Sequence, residues 1–457
     1  MSNLKRGRQT FIIGVGCTAF LKPRGQRATE DMGLEAATKA LLDAGITYDS
    51  IEAAHVGYCF GDSTTGQRAL YNLGLTGIPI VNVNNNCSTG STAFYQSNNL
   101  VKYGAAECVM ALGFERMAPG SLGTRFPDRP SPLGPHGDLK QEVENAGLGA
   151  NKGPGAAQFF GDAGTEYLKR YGGTTEHFAK IASKNHRHSM NNPYSQFRDG
   201  WSTEQVMASP GVTNELTKFM CSPTSDGAAC CIVASEDFVH KHGLVNQAIE
   251  VVGNALVTDG VQTFETRTAV ELVGFSMTQR CADQVFSQAG FPTGEGRDQV
   301  AVIELHDCFA SNELITYDAL RLCSPGEAVK LVERGDNTYG GKYVVNPSGG
   351  LEAKGHPLGA TGLGMHFYII MQLRGWAGPM QVLGATGKFG LVHNIGLGGA
   401  VVCSLLRRPT FYKPGGECGI DRVGYNHGYI CRPVTMSDVN RVKSIHSSDF
   451  VLERAKL

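Results

Sequence analysis

Short, mostly apolar runs alternate along the chain with longer stretches of helix-forming residues. The apolar runs have strand length, and Gly45 follows one of the helix-forming stretches, as is typical of a helix end. The predicted strands are 11–16, 55–58, 78–83 and 108–112, and the predicted helices are 29–44 and 88–100. This alternation predicts an α/β fold with a mixed or parallel sheet.

The α/β pattern is interrupted between about residues 118 and 219. Gly, Pro and polar residues dominate this stretch through residue 155, and a helical pattern follows at 174–186. The strand pattern returns at 224–233. Because clusters of Gly, Pro and polar residues are typical of loops, we expect an inserted, loop-rich domain at 118–219.

The second part of the chain repeats the first. Three pairs of segments match in the same order: 55–62 with 304–311, 81–82 with 345–346, and 227–233 with 398–403. Their common order predicts two duplicated α/β halves that form two sheets about a pseudo-two-fold axis. The predicted domains are an N-terminal half at 1–117 plus 220–248, the inserted domain at 118–219, a C-terminal half at 249–408 and an extension at 409–457.

The composition excludes several classes of partner. Lys and Arg total 41 and Asp and Glu total 42, so the basic excess of a nucleic-acid-binding protein is absent. No apolar run approaches the ~18 residues of a membrane-spanning helix, so we expect no membrane span. The 13 Cys residues include no C-x-x-C pair, and no set of ligands has metal-site spacing. This pattern predicts free thiols in a reducing compartment and no metal site.

Cys87 is the first candidate for chemistry. It follows the predicted strand at 78–83 and opens the predicted helix that starts at Ser88. Backbone N–H groups and the dipole at a helix N-terminus stabilise a thiolate, lower its pKa and can donate to an oxyanion. The position therefore predicts a reactive nucleophile, and the alternative is a buried structural cysteine.

His306 and Cys308 are the next candidates. They follow the strand-like run at 300–305, and ligands of α/β sheets bind beyond the carboxyl ends of strands. Residues two apart at a strand end can share a side, so the imidazole and the thiol are expected to face one site. The alternatives are a satisfied, partly buried histidine and a cysteine that only fills space.

Two Gly-rich turns complete the set. His356 lies between Gly355 and Pro357 at a turn that opens a helix, which would hold it rigidly as a base. A plain structural turn and a phosphate-binding loop are the alternatives, although the lysine of a P-loop is absent. The Gly-rich segment 393–399, predicted to be a turn, contains Asn394 and Gly396, and its backbone N–H groups could complete an oxyanion hole. Plain tight-turn geometry is the alternative for this segment.

Four segments in this order resemble the thiolase superfamily: Asn-Cys-Ser-Thr-Gly at 86–90, His-Asp-Cys-Phe at 306–309, Gly-His-Pro at 355–357 and Asn-Ile-Gly at 394–396. The likeness extends to about residue 408 and is strongest to the sterol-carrier-protein type (type-2 peroxisomal) of 3-ketoacyl-CoA thiolase, because His-Asp-Cys-Phe is specific to that branch. Most thiolases have Asn-Glu-Ala-Phe there and place a second catalytic Cys in a Cys-x-Gly motif. This sequence has Asn394 at that position, and the resemblance implies that Cys308 supplies the second thiol.

The resemblance implies a five-layered αβαβα thiolase core and a 3-ketoacyl-CoA thiolase (acetyl-CoA C-acyltransferase) that cleaves 3-oxoacyl-CoA with CoA in fatty-acid or branched-chain and sterol side-chain β-oxidation. It further implies a homodimer with CoA as co-substrate and no permanently bound cofactor. Roles carried over to this sequence are a nucleophile that becomes acylated (Cys87), bases and donors (His306, His356), an acid/base thiol (Cys308), backbone oxyanion donors (Cys87, Gly396) and supporting groups (Asn394, Asp307). A decarboxylating ketoacyl synthase, or a non-catalytic protein that binds CoA esters, is the alternative.

The two ends of the chain carry possible addresses. Ala455-Lys456-Leu457 differs from the peroxisomal Ser-Lys-Leu signal only by Ala for Ser, which predicts an import receptor as partner and a peroxisome, or a glycosome-type organelle, as location. The basic N-terminal segment, which has no acid before Glu30, favours a mitochondrion as the alternative. Residues 409–457 are too few for a sterol-carrier domain, so we expect no lipid-carrier activity.

Overall fold

The computed structural model describes residues 7–25, 27–118 and 126–448, and it contains ten β-strands and seventeen α-helices within those ranges. Strands β1 to β10 are Thr10–Cys17, Ala53–Gly57, Ile80–Val83, Cys108–Glu115, Gly227–Ser235, Ile249–Val257, Val300–Glu304, Val344–Val345, Phe389–Gly396 and Ala400–Arg407. Helices α1 to α17 are Thr29–Ala44, Thr65–Leu70, Thr89–Lys102, Gly134–Val143, Gly155–Tyr171, Thr175–Ser189, Thr203–Met207, Glu236–Lys241, Gln262–Glu265, Ala269–Leu272, Phe275–Gln288, Ala310–Ala319, Ala328–Glu333, Gly350–Lys354, Leu358–Arg374, Gly419–Val423 and Met436–Val442. The prediction of α1 is confirmed with the same bounds, and each predicted strand overlaps an observed one.

The strand order shows the duplication directly. The order across the sheet is β3-β2-β4-β5-β1-β6-β10-β9-β7-β8. Counted within each half, both blocks of five have the order third, second, fourth, fifth, first. The second strand of each block, β2 or β7, is parallel to both of its neighbours, and the fourth and fifth strands pair antiparallel. The duplicated α/β core predicted from the sequence is therefore confirmed.

The two blocks are joined, and this corrects the expectation of two separate sheets. β1 and β6 pair at only two positions, Phe11 with Glu250 and Ile12 with Ile249. Helix α15 contacts β4 and β5 of the first block and β7 and β9 of the second, and it also packs on α3. The outer faces are covered by α1 on the first block and α11 on the second. The layers are thus helix, strand block, central helices, strand block and helix.

Alternation along the strands explains this layering. In β4, Met110 and Leu112 belong to the core that contains the apolar face of α1, whereas Val109 and Ala111 belong to the central core with α15. Because successive strand residues point to opposite faces, a strand that is apolar at every position is covered on both sides.

The predicted inserted segment contains four α-helices in its described residues, and α6 confirms the helical pattern expected at 174–186, while the bounds of the domain stay a prediction. Helices α4 to α7 lie between residues 134 and 207. Glycines inside α5 permit close packing, as Gly164 shows. A Cβ atom at Gly164 would lie 2.7 Å from the Cβ of Ser311 in α12. Small residues therefore serve helix packing here rather than turns.

The extension after residue 408 packs against the first half. Helices α16 and α17 contact α1, and the guanidinium of Arg422 donates to the backbone oxygen of Asp43 at 2.8 Å. The predicted signal at 455–457 lies outside the described residues. None of the helices in the described part of the chain is long and apolar enough to cross a membrane.

Candidate active site

The start of α3 and the start of α15 meet at the centre of the molecule. Cys87 lies two residues before α3, and His356 lies two residues before α15. Glycines at the crossing leave no space for side chains: a Cβ at Gly90 would lie 2.6 Å from the backbone oxygen of Gly359, and one at Gly362 would lie 2.4 Å from the backbone nitrogen of Ser91. This contact of backbone on backbone brings the thiol and the imidazole together.

Three of the predicted site residues converge in one small space. The sulfur of Cys87 and one ring nitrogen each of His306 and His356 lie within 4.8 Å of one another. The two imidazole rings meet edge to face with centroids 5.0 Å apart. Both histidines are buried, and Cys87 is half-buried.

Cys308 lies in the same region, at the end of the segment that follows β7. Its backbone oxygen accepts from the N–H of Ser222 at 2.9 Å, and its side chain is 5% exposed. Burial raises the pKa of Cys308 well above its usual range, and the charge that Cys87 would carry as a thiolate raises it further. The two sulfurs are therefore close enough for the charge on one to oppose ionisation of the other.

Asn394 fixes the protonation of His306. Its Nδ2 group lies 3.2 Å from the backbone oxygen of Cys87 and 2.9 Å from Nδ1 of His306. Because a carbonyl oxygen only accepts, the amide nitrogen must face it, and Nδ1 of His306 must then accept the second amide hydrogen. The proton of the neutral ring is left on Nε2. Asn394 is among the supporting groups expected from the sequence, and the contact with His306 shows what it supports.

Thr361 fixes the opposite state on His356. Its hydroxyl donates to the backbone oxygen of Pro357 at 3.0 Å, and its oxygen lies 2.7 Å from Nδ1 of His356. Nδ1 therefore carries the proton, and Nε2 is a free lone pair that has no hydrogen-bond partner. Burial, and after it the charge of Lys354, lower the pKa of His356 to about 3, so the ring is neutral. One histidine thus presents a donor and the other an acceptor.

The pKa of the Cys87 thiol differs from the expectation. A position before a helix predicts a lowered pKa, but burial raises the pKa of Cys87 to about 12. The backbone N–H groups of Cys87 and Leu397 act in the opposite direction and stabilise the thiolate. Burial outweighs them, so the site rests as a neutral thiol beside a neutral imidazole, and the proton must leave as the sulfur attacks.

Leu397 and Asn86 are functional positions that sequence reasoning missed. The side-chain amide of Asn86 donates to the backbone oxygen of Leu397 at 3.0 Å, which ties the nucleophile loop to the turn after β9. Asn86 has φ 52°, a left-handed conformation that Asn tolerates better than most residues. A Cβ at Gly396 would lie 2.1 Å from the backbone oxygen of Asn85, so only glycine allows this approach. The oxyanion role of Gly396 stays a prediction.

Asp307 points away from the sulfur atoms and holds α14. Its carboxylate accepts from the backbone N–H of Leu351 at 2.7 Å and from the side-chain amide of Asn185 at 3.0 Å. Since α14 leads directly into the Gly355 turn, Asp307 supports His356 from behind. It is a positioning group rather than one that faces the Cys87 pocket.

Two models of one protein family match most of the chain. Residues 10–237 match the model described as "Thiolase, N-terminal domain", and residues 259–406 match "Thiolase C-terminal domain-like". "Sterol carrier protein 2" of Rattus norvegicus is 53% identical over 408 residues, which cover 89% of this chain and 73% of that protein. The chain belongs to the thiolase family.

The chain is also similar to a second relative and to solved structures. "Non-specific lipid-transfer protein-like 2" of Caenorhabditis elegans is 44% identical, over 87% of this chain and 96% of that protein. Among solved structures, "Ltp2-ChsH2(DUF35) aldolase" aligns with a TM-score of 0.70 at 21% identity, over 88% of this chain and 98% of that chain. "Crystal structure of human mitochondrial 3-ketoacyl-CoA thiolase in complex with CoA" aligns with a TM-score of 0.59 at 18% identity, over 87% of this chain and 98% of that chain. At these identities, the solved structures show the shared fold alone.

Family membership supports a coarse function. Proteins of the thiolase family are typically acyltransferases that act on CoA thioesters and need no permanently bound cofactor. A half-buried thiol between a donor imidazole and an acceptor imidazole suits such acyl transfer, because it provides a nucleophile and the means to move its proton.

Proposed function

We propose that this protein is a 3-ketoacyl-CoA thiolase that cleaves 3-oxoacyl-CoA with CoA through an acyl group on Cys87. The observation that carries the proposal is the arrangement around this thiol. His356 presents a free lone pair, His306 presents an N–H group, and the charge of a Cys87 thiolate would raise the pKa of the buried Cys308 thiol. A nucleophile, a base, a donor and a second acid are thus present.

In the first step, Nε2 of His356 takes the proton of Cys87 while the sulfur attacks the 3-keto carbon. The backbone N–H groups of Cys87 and Gly396 hold the oxygen that becomes negative. The N–H of Leu397, which already points at the sulfur, holds the thiolate as it forms. Removal of one N–H donor to that oxygen should raise the activation free energy of the attack by roughly 3–4 kcal/mol.

In the second step, the bond between the α and β carbons breaks and leaves an acyl group on Cys87 and a CoA enolate. Nε2–H of His306, and the proton now on His356, donate to the thioester oxygen where the enolate charge develops. Cys308 gives its proton to the departing carbon. It then takes the proton of an incoming CoA thiol, whose sulfur attacks the acyl group and releases the shortened acyl-CoA.

The proposed setting is β-oxidation of fatty acids or of branched-chain and sterol side-chain substrates, in a homodimer located in a peroxisome. Strand β3 forms one edge of the sheet, and Val81 on it is 48% exposed, which supports pairing with a second copy. The tail at 455–457 supports import. A fluorescent fusion of the full chain should be found in peroxisomes, and the same fusion without these three residues should no longer be found there. Peroxisomal location of the truncated fusion, or mitochondrial location of either one, would contradict the assignment.

The test of activity separates the three candidate functions. Acetoacetyl-CoA with CoA should give acetyl-CoA, seen as loss of the absorbance of the 3-oxoacyl-CoA–magnesium complex. A decarboxylating ketoacyl synthase would use Cys87, His306 and His356, but it would need a malonyl thioester and would have no use for Cys308. Decarboxylation of malonyl-CoA without thiolysis would favour the synthase. Binding of CoA esters without either reaction would favour a non-catalytic protein.

A further inference from the structure

The backbone of His356 lies in a turn that the local sequence does not fix. Gly355, directly before it, has φ 110°, a conformation that is open to glycine and strained for other residues. His356 lies two residues before α15, so its N–H group has no partner within that helix. The hydroxyl of Thr361 holds the imidazole ring at Nδ1, but it does not hold the backbone. A second contact is needed to fix the position of Nε2.

Ser225 supplies the second contact. Its hydroxyl oxygen accepts from the backbone N–H of His356 at 3.0 Å, and both residues are buried. The neighbouring residue Thr224 forms a parallel bridge with His356. Ser225 lies two residues before β5, so His356 is tied to the sheet through its backbone and to α15 through its ring.

Gln196 orients the hydroxyl of Ser225. Its side-chain oxygen accepts from that hydroxyl at 2.7 Å, whereas a second acceptor, the backbone oxygen of Pro223, lies at 3.3 Å. A serine hydroxyl has a single hydrogen to donate. Because this hydrogen points at Gln196, a lone pair of the same oxygen is directed at the N–H of His356.

The segment at 192–197 holds Gln196 in place from two sides. The backbone N–H of Gln196 donates to the backbone oxygen of Lys354 in α14 at 3.0 Å. The hydroxyl of the buried Tyr194 donates to the backbone oxygen of His427, in the extension, at 2.7 Å. Gln196 is therefore anchored to the helix that leads into the His356 turn, and the extension supports the same segment.

We propose that Ser225 and Gln196 are positioning residues that hold the backbone of His356. Their contacts keep Nε2 within reach of the Cys87 thiol, which is the geometry that the first step of the reaction requires. The inference rests on the proposed thiolase function. Neither positioning residue gives or takes a proton. Thr361 sets which ring nitrogen carries the proton, and Ser225 sets where the free nitrogen lies.

The deciding variant is Ser225→Ala, which removes the hydroxyl and adds no atom to a buried space. kcat for thiolysis of acetoacetyl-CoA should fall roughly 10–100-fold, because a misplacement of about 1 Å costs up to that much. KM should change by less than about twofold. Acylation of Cys87 in a single turnover should slow by the same factor as kcat, since His356 takes the thiol proton in this first step.

Two variants of Gln196 test the orientation of the hydroxyl. Gln196→Met keeps the length of the side chain but removes the acceptor, so the hydroxyl of Ser225 should turn toward Pro223. kcat should then fall about two- to tenfold, the worth of one hydrogen bond. Gln196→Glu keeps an accepting oxygen and should keep kcat close to the native value. Equal losses in the two variants would overturn the role of Gln196.

The matched control is Ser235→Ala, at the other end of β5. Ser235 is 1% exposed, accepts from the backbone N–H of Phe238 at 3.2 Å and donates to the carboxylate of Glu107. Ser225→Ala and Ser235→Ala each remove a buried hydroxyl with one accepted and one donated hydrogen bond. Their unfolding temperatures should therefore fall by similar amounts, and only Ser225→Ala should lose kcat.

Hydrogen exchange tests the contact without any substrate. The amide hydrogen of His356 should exchange at least about tenfold faster in Ser225→Ala than in native protein or in Ser235→Ala. Mass spectrometry with fragmentation to single residues measures this rate.

Three results would overturn the inference: a native kcat in Ser225→Ala, an equal loss of kcat in Ser235→Ala, or unaltered exchange at the His356 amide in Ser225→Ala. Absence of thiolysis by native protein would overturn the proposed function and this inference together. Equal rates of thiolysis in native protein and Ser225→Ala would overturn the inference alone.

Discussion

Two thiols occupy equivalent places in the duplicated halves, and their surroundings differ. Cys59 follows β2 and Cys308 follows β7, at the second strand of each five-strand block. Each lies close enough to Cys87 to feel its charge, and burial raises the pKa of each thiol well above its usual range. The duplication therefore places two thiols that could act as acids around one candidate nucleophile, Cys87.

Each half also contains a buried glutamate, and the hydrogen bonds of the two glutamates differ. Glu115 accepts three backbone N–H groups at 3.0 Å, two from the Cys59 turn and one from Gly359 at the start of α15. In the second half, neither side-chain oxygen of Glu352 in α14 has a hydrogen-bond partner. Glu115 therefore holds the backbone of the Cys59 turn and the start of α15, whereas the side chain of Glu352 holds no backbone group. Under the proposed function, we expect Cys59 to serve structure and Cys308 to serve chemistry.

The sharpest way to break this comparison is to remove each thiol in turn. Cys308→Ala should reduce full turnover by roughly 10²–10⁴-fold, the usual worth of a general acid or base, while acylation of Cys87 survives better. Cys59→Ala should stay within about threefold of native, because its thiol holds polar groups of the nucleophile loop and has no role in the proposed steps. Steady-state thiolysis and single-turnover acylation measure the two effects. Equal losses in both variants would contradict the division of roles.

A second prediction concerns the donor state of His306. Asn394→Asp places an acceptor beside Nδ1, draws the ring proton to that side and removes the donor from Nε2. Loss of one such donor should lower kcat by roughly 10²–10³-fold. Asn394→Ala should lose less, because it leaves the ring free to choose its tautomer. Thiolysis kinetics of the pair decide, and an equal or smaller loss in Asn394→Asp would refute the assigned tautomer.

The third prediction uses the pH dependence of Cys87. Since burial raises the pKa of this thiol to about 12, only a small fraction is thiolate near neutrality. Alkylation of Cys87 by iodoacetamide should accelerate about tenfold for each pH unit between about pH 6 and pH 9, without a plateau. Peptide mass spectrometry follows the modified residue. A plateau near neutral pH would show that the helix start, rather than burial, controls the thiol.

The smallest expected effect is on stability. Glu115→Gln replaces one accepting oxygen by an amide nitrogen that cannot accept from the backbone N–H groups it faces, so it should cost about 1–3 kcal/mol in the free energy of unfolding. Glu352→Gln should cost nothing comparable. Denaturant unfolding of both variants measures the difference. Equal costs would erase the contrast between the two glutamates.

Much of the fold was readable from the sequence because apolar strands and helix ends are local signals. α1 is observed with its predicted bounds, and the repeated segments foretold the duplicated strand order. Helix α4 is not predicted, because it begins with the Gly-Pro-His-Gly segment at 134–137, a composition that also favours a loop. The pairing of β1 with β6 is a contact between halves that no local pattern encodes.

In the candidate site, the identity of the residues could be predicted from the sequence, but their protonation states could not. Cys87, His306, Cys308 and His356 were found from strand ends, helix starts and family motifs. The burial that raises the pKa of Cys87 depends on the whole core, so the sequence pointed in the wrong direction. The opposite states of the two histidines depend on neighbours 88 residues away in one case and five in the other. Proton positions of this kind follow from three-dimensional contacts rather than from motifs.

The most direct test of the account is to find the acyl group. Native protein mixed with acetoacetyl-CoA in the absence of free CoA should gain one acetyl group, which peptide mass spectrometry should place on Cys87. Added CoA should discharge it as acetyl-CoA, and Cys87→Ala should gain none. An acetyl group on Cys59 or Cys308, or labelling that persists in Cys87→Ala, would contradict the claim that this thiol is the nucleophile.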